Sequence, residues 1–577
     1  MASRTILLLG ALLAATSCGA SDEPDAPATP SVLILSLDTT RADALSCYGG
    51  QGTSTPNLDR LAQEGTLYER AYTSAPLTLP AHASLMTGLY PVRHGIRNNG
   101  LGALSPEVDT LAEAARAAGY QTGAFLGSIV LSADFGLDQG FDVYDAPPPS
   151  GDGTEAERPA REVVDAALEW LDERKEGRPF LLFLHFYDPH TPYKPKDFVE
   201  GQIKRNYLGE VRDMDSEIGR LLDALRADGT LDETIVVAAG DHGEAFGEHR
   251  ELGHSVFCYD TTLRVPLLIR WHAKKANRPA YQRFQELAGL VDIYPTLAAE
   301  LGWEAPADVD GLGLGGDLST RGLYFESYYG LLSFGWSPIV GWLDASGKYI
   351  HSSDPEFYHL PSDPIERANL MESQAAELGR YRQAINELAG RKSYAAVTGE
   401  IDRSVTEELQ KLGYAGAGAA VTALPAPLEP SPHPSPASMQ DLYEETLRAI
   451  QMTQRGELKE AAEVFERVLE SNPDNPLVLD QLARCQVNLQ QIEEAVVTLK
   501  RMTEIPTAPQ ANAWFMLGVC LRSLGKNDEA IAAQEKAAAL DAQNPLILQA
   551  LMSAYMDAGR DAEAARVGEL LRRAQSQ

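Results

Sequence analysis

The sequence predicts an α/β sandwich on a mostly parallel central sheet with a small C-terminal subdomain, followed by an all-α solenoid. Three observations predict it. The continuous apolar runs Ser31–Leu37, Phe180–Phe186 and Thr234–Ala239 alternate with amphipathic stretches of helical length, and such runs mark parallel strands covered on both faces. A stretch rich in Ala, Gly, Pro and Ser then ends the alternation. Beyond it, Ala461, Ala495, Ala530 and Ala564 recur at spacings of 34, 35 and 34 residues, as stacked helical hairpins do.

The chain of 577 residues opens on Met1-Ala2-Ser3-Arg4, an apolar run from Ile6 to Ala15, and Thr16-Ser17-Cys18. A basic start, a short apolar run and small residues at its end make residues 1–17 an export signal, too short for a span that needs about 20 apolar residues. Ala15-Thr16-Ser17-Cys18 resembles a bacterial lipobox. The resemblance implies that Cys18 is lipidated and that the protein is an exported lipoprotein of the cell envelope, periplasmic or at the cell surface. Residues 18–30 are acidic and Pro-rich, as a flexible tether to a membrane should be. No other segment is apolar enough to span a bilayer, so the lipid is the expected membrane contact. Five cysteines are too few for a disulfide scaffold in a chain of this length.

Residues 31–416 carry the α/β pattern. Helices are expected at Pro56–Glu64, Thr110–Ala118, Ala160–Lys175 and Asn206–Ala227, and a smaller sheet around Tyr349-Ile350 and Phe357–Leu360, with helices after Asn369. That length exceeds what one core usually fills, which is why a subdomain is expected. Residues 417–438, with Pro at every second or third position from Pro425 to Pro436, read as an extended linker.

Residues 439–577 hold about four repeats. Gly456, Gln490, Gly525 and Gly559 each stand five positions before the recurring alanine, and the third repeat places Trp514, Leu517, Gly518, Leu521, Ala530 and Ala537 in one register. The pattern resembles tetratricopeptide repeats, which implies a surface for a protein partner. Cys485 and Cys520 fall at equivalent helix positions and read as small packing residues.

With 49 Lys+Arg against 82 Asp+Glu, the formal charge is −33. Nucleic acid is therefore excluded as a partner, because phosphate backbones are held by basic side chains that this surface as a whole lacks. An anionic substrate must be drawn by a local site, and a metal is the obvious device.

The ends of the three apolar runs carry such groups: Asp38 after the first, His185, Asp188 and His190 at and after the second, Asp241 and His242 after the third. Ligands of parallel sheets bind beyond the carboxyl ends of the strands, so these groups converge although they are far apart in sequence. Around them stand Asp38-Thr-Thr-Arg-Ala-Asp43, Thr55-Pro-Asn-Leu-Asp59, Thr78-Leu-Pro-Ala-His-Ala-Ser-Leu-Met-Thr-Gly88, Tyr90-Pro-Val-Arg-His-Gly95, Asp188-Pro-His-Thr-Pro-Tyr193, Asp241-His-Gly-Glu244, Gly253-His254 and Arg264-Val-Pro266. In this order they resemble the sulfatases of the alkaline phosphatase superfamily, over about residues 31–416. An alkaline-phosphatase-like sandwich is what that resemblance implies.

One departure from the family decides the expected chemistry. Sulfatases carry Cys or Ser in a C/S-x-P-S-R motif, and oxidation to formylglycine supplies their nucleophile. Here the segment reads Thr78-Leu79-Pro80-Ala81-His82. Threonine cannot become formylglycine. The Lys that follows a later strand in many sulfatases is also absent, with Ser128 at that place, and Thr39 stands where many members have a second Asp.

The phosphate-handling relatives use Thr or Ser directly, because a bound cation lowers the pKa of a coordinated hydroxyl. The resemblance thus implies Asp38, Asp241, His242 and Thr78 as metal ligands, with Thr78 as nucleophile, and His190 and His254 as catalytic, one of them the general acid. Asn99, His82 and Ser128 are the expected substrate-binding residues. Loop histidines bonded to backbone are an equal alternative for His82 and for His94. Glu244 and Glu248 are expected to support the ligands, and His185 with Asp188 offers a second, weaker metal position. Mixed carboxylate and imidazole ligands favour Zn²⁺ or Mn²⁺, while Ca²⁺ or Mg²⁺ prefers oxygen alone and is the lesser choice. The expected activity is cleavage or transfer of phosphate or phosphonate esters through a covalent Thr78 intermediate. The alternatives are a sulfatase acting through Thr78, and an inactive scaffold of sulfatase fold and repeats.

Overall fold

The computed structural model describes residues 29–149, 157–175, 177–273, 281–374, 378–397, 401–411, 424–505, 508 and 510–574. The expected export signal, Cys18 and most of the tether lie outside the described residues.

In chain order the strands are β1 (Ser31–Leu37), β2 (Thr66–Tyr72), β3 (Gln121–Leu126), β4 (Val143–Asp145), β5 (Phe180–Phe186), β6 (Thr234–Gly240), β7 (Ala245–Phe246), β8 (Leu252–Gly253), β9 (Arg264–Val265), β10 (Leu267–Arg270) and β11 (Gln282–Gly289). The small subdomain adds β12 (Gly322–Ser327), β13 (Ile339–Asp344), β14 (Lys348–His351) and β15 (Glu356–Tyr358). The main sheet runs β11-β2-β10-β6-β1-β5-β3-β4, with β9 paired to β2. The three predicted apolar runs sit side by side at its centre, β1 parallel to both β5 and β6. Only β10 and β9 run against their neighbours.

Period-two alternation explains why the apolar runs are continuous. Val32 and Ile34 of β1 join one core with Phe183 of β5 and Val237 of β6, covered by helices Thr78–Thr87, Leu111–Ala117 and Ile293–Leu301. Leu33, Leu35 and Leu37 enter the other, against Val164, Tyr207 and Met214 of helices Ala160–Glu173 and Ile203–Ala227. Every residue of the three strands is buried. The mostly parallel α/β sandwich is therefore real, and helix Ile203–Ala227 begins one turn before the expected Asn206. The Thr110 hydroxyl starts helix Leu111–Ala117 with a reciprocal capping box to Glu113.

β12 to β15 form an antiparallel sheet. One face packs against Tyr381 and Ile385 of helix Leu378–Ala389. The other, through Phe325 and Ile339, meets Phe257, Phe334, Trp336 and Tyr443. The Pro-rich segment is fastened along this subdomain: Tyr328 donates to the Pro425 carbonyl at 2.8 Å and the Ser337 amide to the Pro434 carbonyl at 2.8 Å. Its prolines keep it extended, and these contacts give it one path.

Among the described residues eight helices follow, from Gln440–Gln454 to Asp561–Ala574, each packed against the next in the chain. The recurring alanines are buried where paired helices touch, and Cys485 and Cys520 are buried beside them. Gly456, Gly525 and Gly559 have φ of 80°, 71° and 69°, and Gln490 takes the same left-handed turn at 61°. A helix that must stop and reverse needs that conformation, which glycine adopts without a Cβ penalty.

Candidate active site

The carboxyl ends of β1, β5 and β6 lie together because the strands are in register: Ser36 pairs with His185 and Leu37 with Gly240. The next residues, Asp38 and Asp241, consequently leave the sheet at one point. His242 follows, and the three offer ligand atoms that all lie within 4.8 Å of one another. All are buried.

Thr78 is the first residue of helix Thr78–Thr87, fully buried. Its Oγ1 lies 3.3 Å from His242 Nε2 and close enough to Asp38 to favour the carboxylate form. A helix start presents unpaired amides and the positive end of the helix dipole, a suitable seat for an anion. The structure thus brings together all four residues expected to hold a metal.

Electrostatics at this point are lopsided. Burial and the neighbouring Asp241, Glu244 and Glu157 carboxylates push Asp38 well above the usual range. Burial raises Asp241 to about 6 and Glu244 to about 6. Asp241 Oδ1 accepts from the Thr39 amide at 3.1 Å and the His242 amide at 2.7 Å, while His185 Nε2 lies 2.9 Å from Asp38 Oδ2. Asp38 Oδ1 and Asp241 Oδ2 have no hydrogen-bond partner among the described residues. Buried carboxylate oxygens left open are costly unless a cation takes them. The donor set of two carboxylates, an imidazole and a hydroxyl fits a divalent metal.

The remaining expected residues divide. Asn99 Oδ1 accepts from the Leu79 amide at 2.9 Å, which leaves its Nδ2 without a partner at the helix start. His190 holds its Nδ1 at 2.7 Å from the Thr191 carbonyl, and its buried Nε2 is open. His254 Nδ1 lies 3.4 Å from Glu244 Oε1, whose other oxygen accepts from Tyr193 at 2.9 Å. The rings of His190 and His254 are 5.2 Å apart, and those of His242 and His254 are 4.4 Å apart. Burial lowers His190 to about 3 and His254 to about 4.

His82 takes a different place from the substrate-facing one expected. Its Nδ1 is 2.7 Å from the Thr78 carbonyl, one helical turn back, and its Nε2 is 2.7 Å from Ser36 Oγ. Both nitrogens are engaged, so it braces the helix of Thr78 against β1. It closes as well a second grouping, His82, His185 and Asp241, whose atoms are near enough to share an ion. His94 is engaged likewise, by Ser84 and the Ile96 amide.

Ser128 caps a short turn by accepting from the Val130 amide at 3.3 Å. Asp188 does not join His185: both its oxygens accept from the Ala160 amide, at 3.0 and 2.9 Å, and so start helix Ala160–Glu173. Glu248 pairs with Arg41 at 2.9 Å.

Two contributors escaped the sequence reading, and a third, Thr39, entered it only as the replacement of an Asp. Thr39 has φ of 49°, and that turn aims its amide at Asp241. Asn98 is buried with both amide atoms unpartnered beside Asn99. Glu157 adds negative potential at Asp38. The doubled Asn98-Asn99 was a legible signal; the other two depend on backbone geometry.

Comparison with known proteins agrees with this architecture. The Sulfatase family model matches residues 30–302, and tetratricopeptide repeat models match 452–516 and 511–544. The chain is 24% identical to an arylsulfatase of Clostridium perfringens, over 60% of this chain and 91% of that one. It is 26% identical to human arylsulfatase A, over 64% and 89%. The fold is similar to that of the phosphonate monoester hydrolase of Agrobacterium radiobacter, with a TM-score of 0.53 at 24% identity over 62% of this chain and 95% of that one. Residues 30–302 are thus a sulfatase domain, similar to those of known ester hydrolases, and tetratricopeptide repeats follow it.

Proposed function

We propose that this protein is a metal-dependent hydrolase that cleaves phosphate or phosphonate esters, or transfers their phosphoryl group, through Thr78. One observation carries the reading: a plain alcohol, which cannot be oxidised to formylglycine, is buried at a helix start between Asp38 and His242. Asp38, Asp241, His242 and the Thr78 hydroxyl would hold the cation. When bound, it would lower the pKa of that hydroxyl and offset phosphoryl charge.

The chain's own groups do the rest. Asp38 is placed to draw the Thr78 proton as the Oγ–P bond forms. Asn99 Nδ2, Asn98 and the helix start hold the non-bridging oxygens. Burial favours the neutral ring of His254, so the imidazolium that gives its proton to the leaving alkoxide as the P–O ester bond breaks must be held by the Glu244 carboxylate at its Nδ1. His190 orients the ester through its open Nε2. Water, losing a proton to His254, then attacks phosphorus; the P–Oγ bond breaks, Asp38 returns its proton to Thr78 Oγ, and the site is restored.

The full chain, loaded with Zn²⁺ or Mn²⁺, is tested on phosphate monoesters, phosphodiesters, phosphonates and sulfate esters. Phosphate or phosphonate turnover is expected, lost in Thr78→Ala by at least about 10⁴-fold. Quenched turnover of a phosphate monoester should leave about 80 Da on the Thr78 peptide, the mass of a phosphoryl group. Dominant sulfate turnover that needs Thr78 would replace this reading with a sulfatase, and no turnover with no bound metal would replace it with a scaffold.

Export as a lipoprotein is also proposed, on the Met1–Cys18 sequence alone. Cys18→Ala should move the protein from the membrane to the soluble fraction. Unchanged membrane association would reject the lipid.

A further inference from the structure

We infer that Tyr443, on the first helix of the repeats, is a positioning residue for the loop that carries His254. The repeats are then part of the hydrolase's working unit. The inference rests on the role of His254 given above.

The loop is a strained one. β7 and β8 pair Ala245 with Gly253 and Phe246 with Leu252, and His254 comes next. His249, Arg250 and Ser255 all have left-handed backbone, with φ of 48°, 59° and 91°. Non-glycine residues in that region persist only where surrounding contacts over-determine them.

From the catalytic side, Arg41 supplies two such contacts, to the Glu244 carbonyl and the Glu248 carboxylate, each at 2.9 Å. From the other side they come from the repeats. Tyr443 of helix Gln440–Gln454, only 4% exposed, donates its hydroxyl to the Leu252 carbonyl at 3.2 Å, two residues before His254. Asp441 on the same helix pairs with Arg250. The Tyr443 ring stands edge-on to Phe257, just beyond His254, at 5.9 Å, and to Phe334 at 5.7 Å. Asn472, in the turn after the next helix, donates to the Phe334 carbonyl at 2.7 Å and fixes the docking angle.

A rigid loop keeps His254 aligned with Glu244 and with the leaving oxygen. Without the Tyr443 hydroxyl the Leu252 carbonyl loses its anchor, and His254 delivers its proton less often. That loss matters for alkyl esters, whose alkoxide needs the proton, and little for aryl esters, whose phenolate leaves without it.

The test uses the full chain with Tyr443→Phe, which keeps the ring and its packing. Tyr555→Phe, removing a hydroxyl bonded to Glu535 far along the repeats, is the control. Turnover of an alkyl and a 4-nitrophenyl ester of the same acid, deuterium exchange of residues 247–256 and thermal unfolding are compared. Tyr443→Phe should lower alkyl-ester kcat about tenfold and aryl-ester kcat less than about twofold. Exchange in 247–256 should quicken, and the control should change neither. Equal loss on both esters, or unchanged exchange, overturns the inference. If the wild-type protein cleaves neither ester, the hydrolase reading fails, and exchange alone then decides whether Tyr443 holds the loop.

Discussion

Among the regions that use the left-handed backbone, the repeat turns and the surroundings of the site obtain it differently. The turns of the repeats place Gly456, Gly525 and Gly559 there, with Gln490 as the exception. Around the site, Thr39, His249, Arg250 and Ser255 hold the same conformation with side chains attached. For an L-residue this costs roughly 1–2 kcal/mol each. A repeat turn has only to reverse the chain, so glycine suffices. At the site the turn must also aim a group, as Thr39 aims its amide at Asp241, and contacts replace glycine in holding it. At the site, strain without glycine accompanies groups that must be aimed, while the same conformation at Gln490 and Glu366 shows that it does not by itself mark a site.

The change that bears hardest on this contrast is Asp241→Ala, which removes the anchor of Thr39 together with a candidate cation ligand. Activity should fall by on the order of 10³-fold or more. Zn²⁺ or Mn²⁺ at about 100 times its dissociation constant should stabilise the wild-type protein by about 2.7 kcal/mol in a melting experiment. In Asp241→Ala that stabilisation should vanish; its survival would place the metal elsewhere.

His82→Ala should come next. It leaves Ser36 Oγ and the Thr78 carbonyl without their partner in a dry interior and should cost about 1–3 kcal/mol in denaturant unfolding. A neutral result would show that the helix of Thr78 is held by packing alone.

Ser255→Gly and Gln490→Gly sharpen the contrast most directly. Each relieves a left-handed residue and should stabilise by about 1 kcal/mol or somewhat less. Ser255→Gly should lower turnover several-fold, because it loosens the turn after His254. Gln490→Gly should leave turnover unchanged. Equal activity in both variants would break the link between strain and function.

Sequence and structure part company at particular residues. Asp38, Asp241, His242 and Thr78 were legible, since strand ends and ordered motifs carry them. His82 was half legible: its bond to the Thr78 carbonyl spans one helical turn, but Ser36 lies 46 positions away and shows no local signal. Asp188 looked like a ligand because it follows a strand, yet it caps a helix that begins 28 positions earlier in the chain. The docking of the repeats was not legible at all. Tyr443 and Leu252 are 191 positions apart, and nothing in either neighbourhood names the other.

By itself, then, the sequence determined the layers, the repeats and which polar groups gather at the strand ends. Periodicity sets which face of a strand or helix is buried, and a residue type sets which atoms it can offer. Tertiary structure decided which of eleven histidines keep an open nitrogen, which carboxylate caps a helix, and that the repeats lean on the loop of His254. Those outcomes depend on contacts between distant segments, and a contact exists only once both partners have been brought to one place.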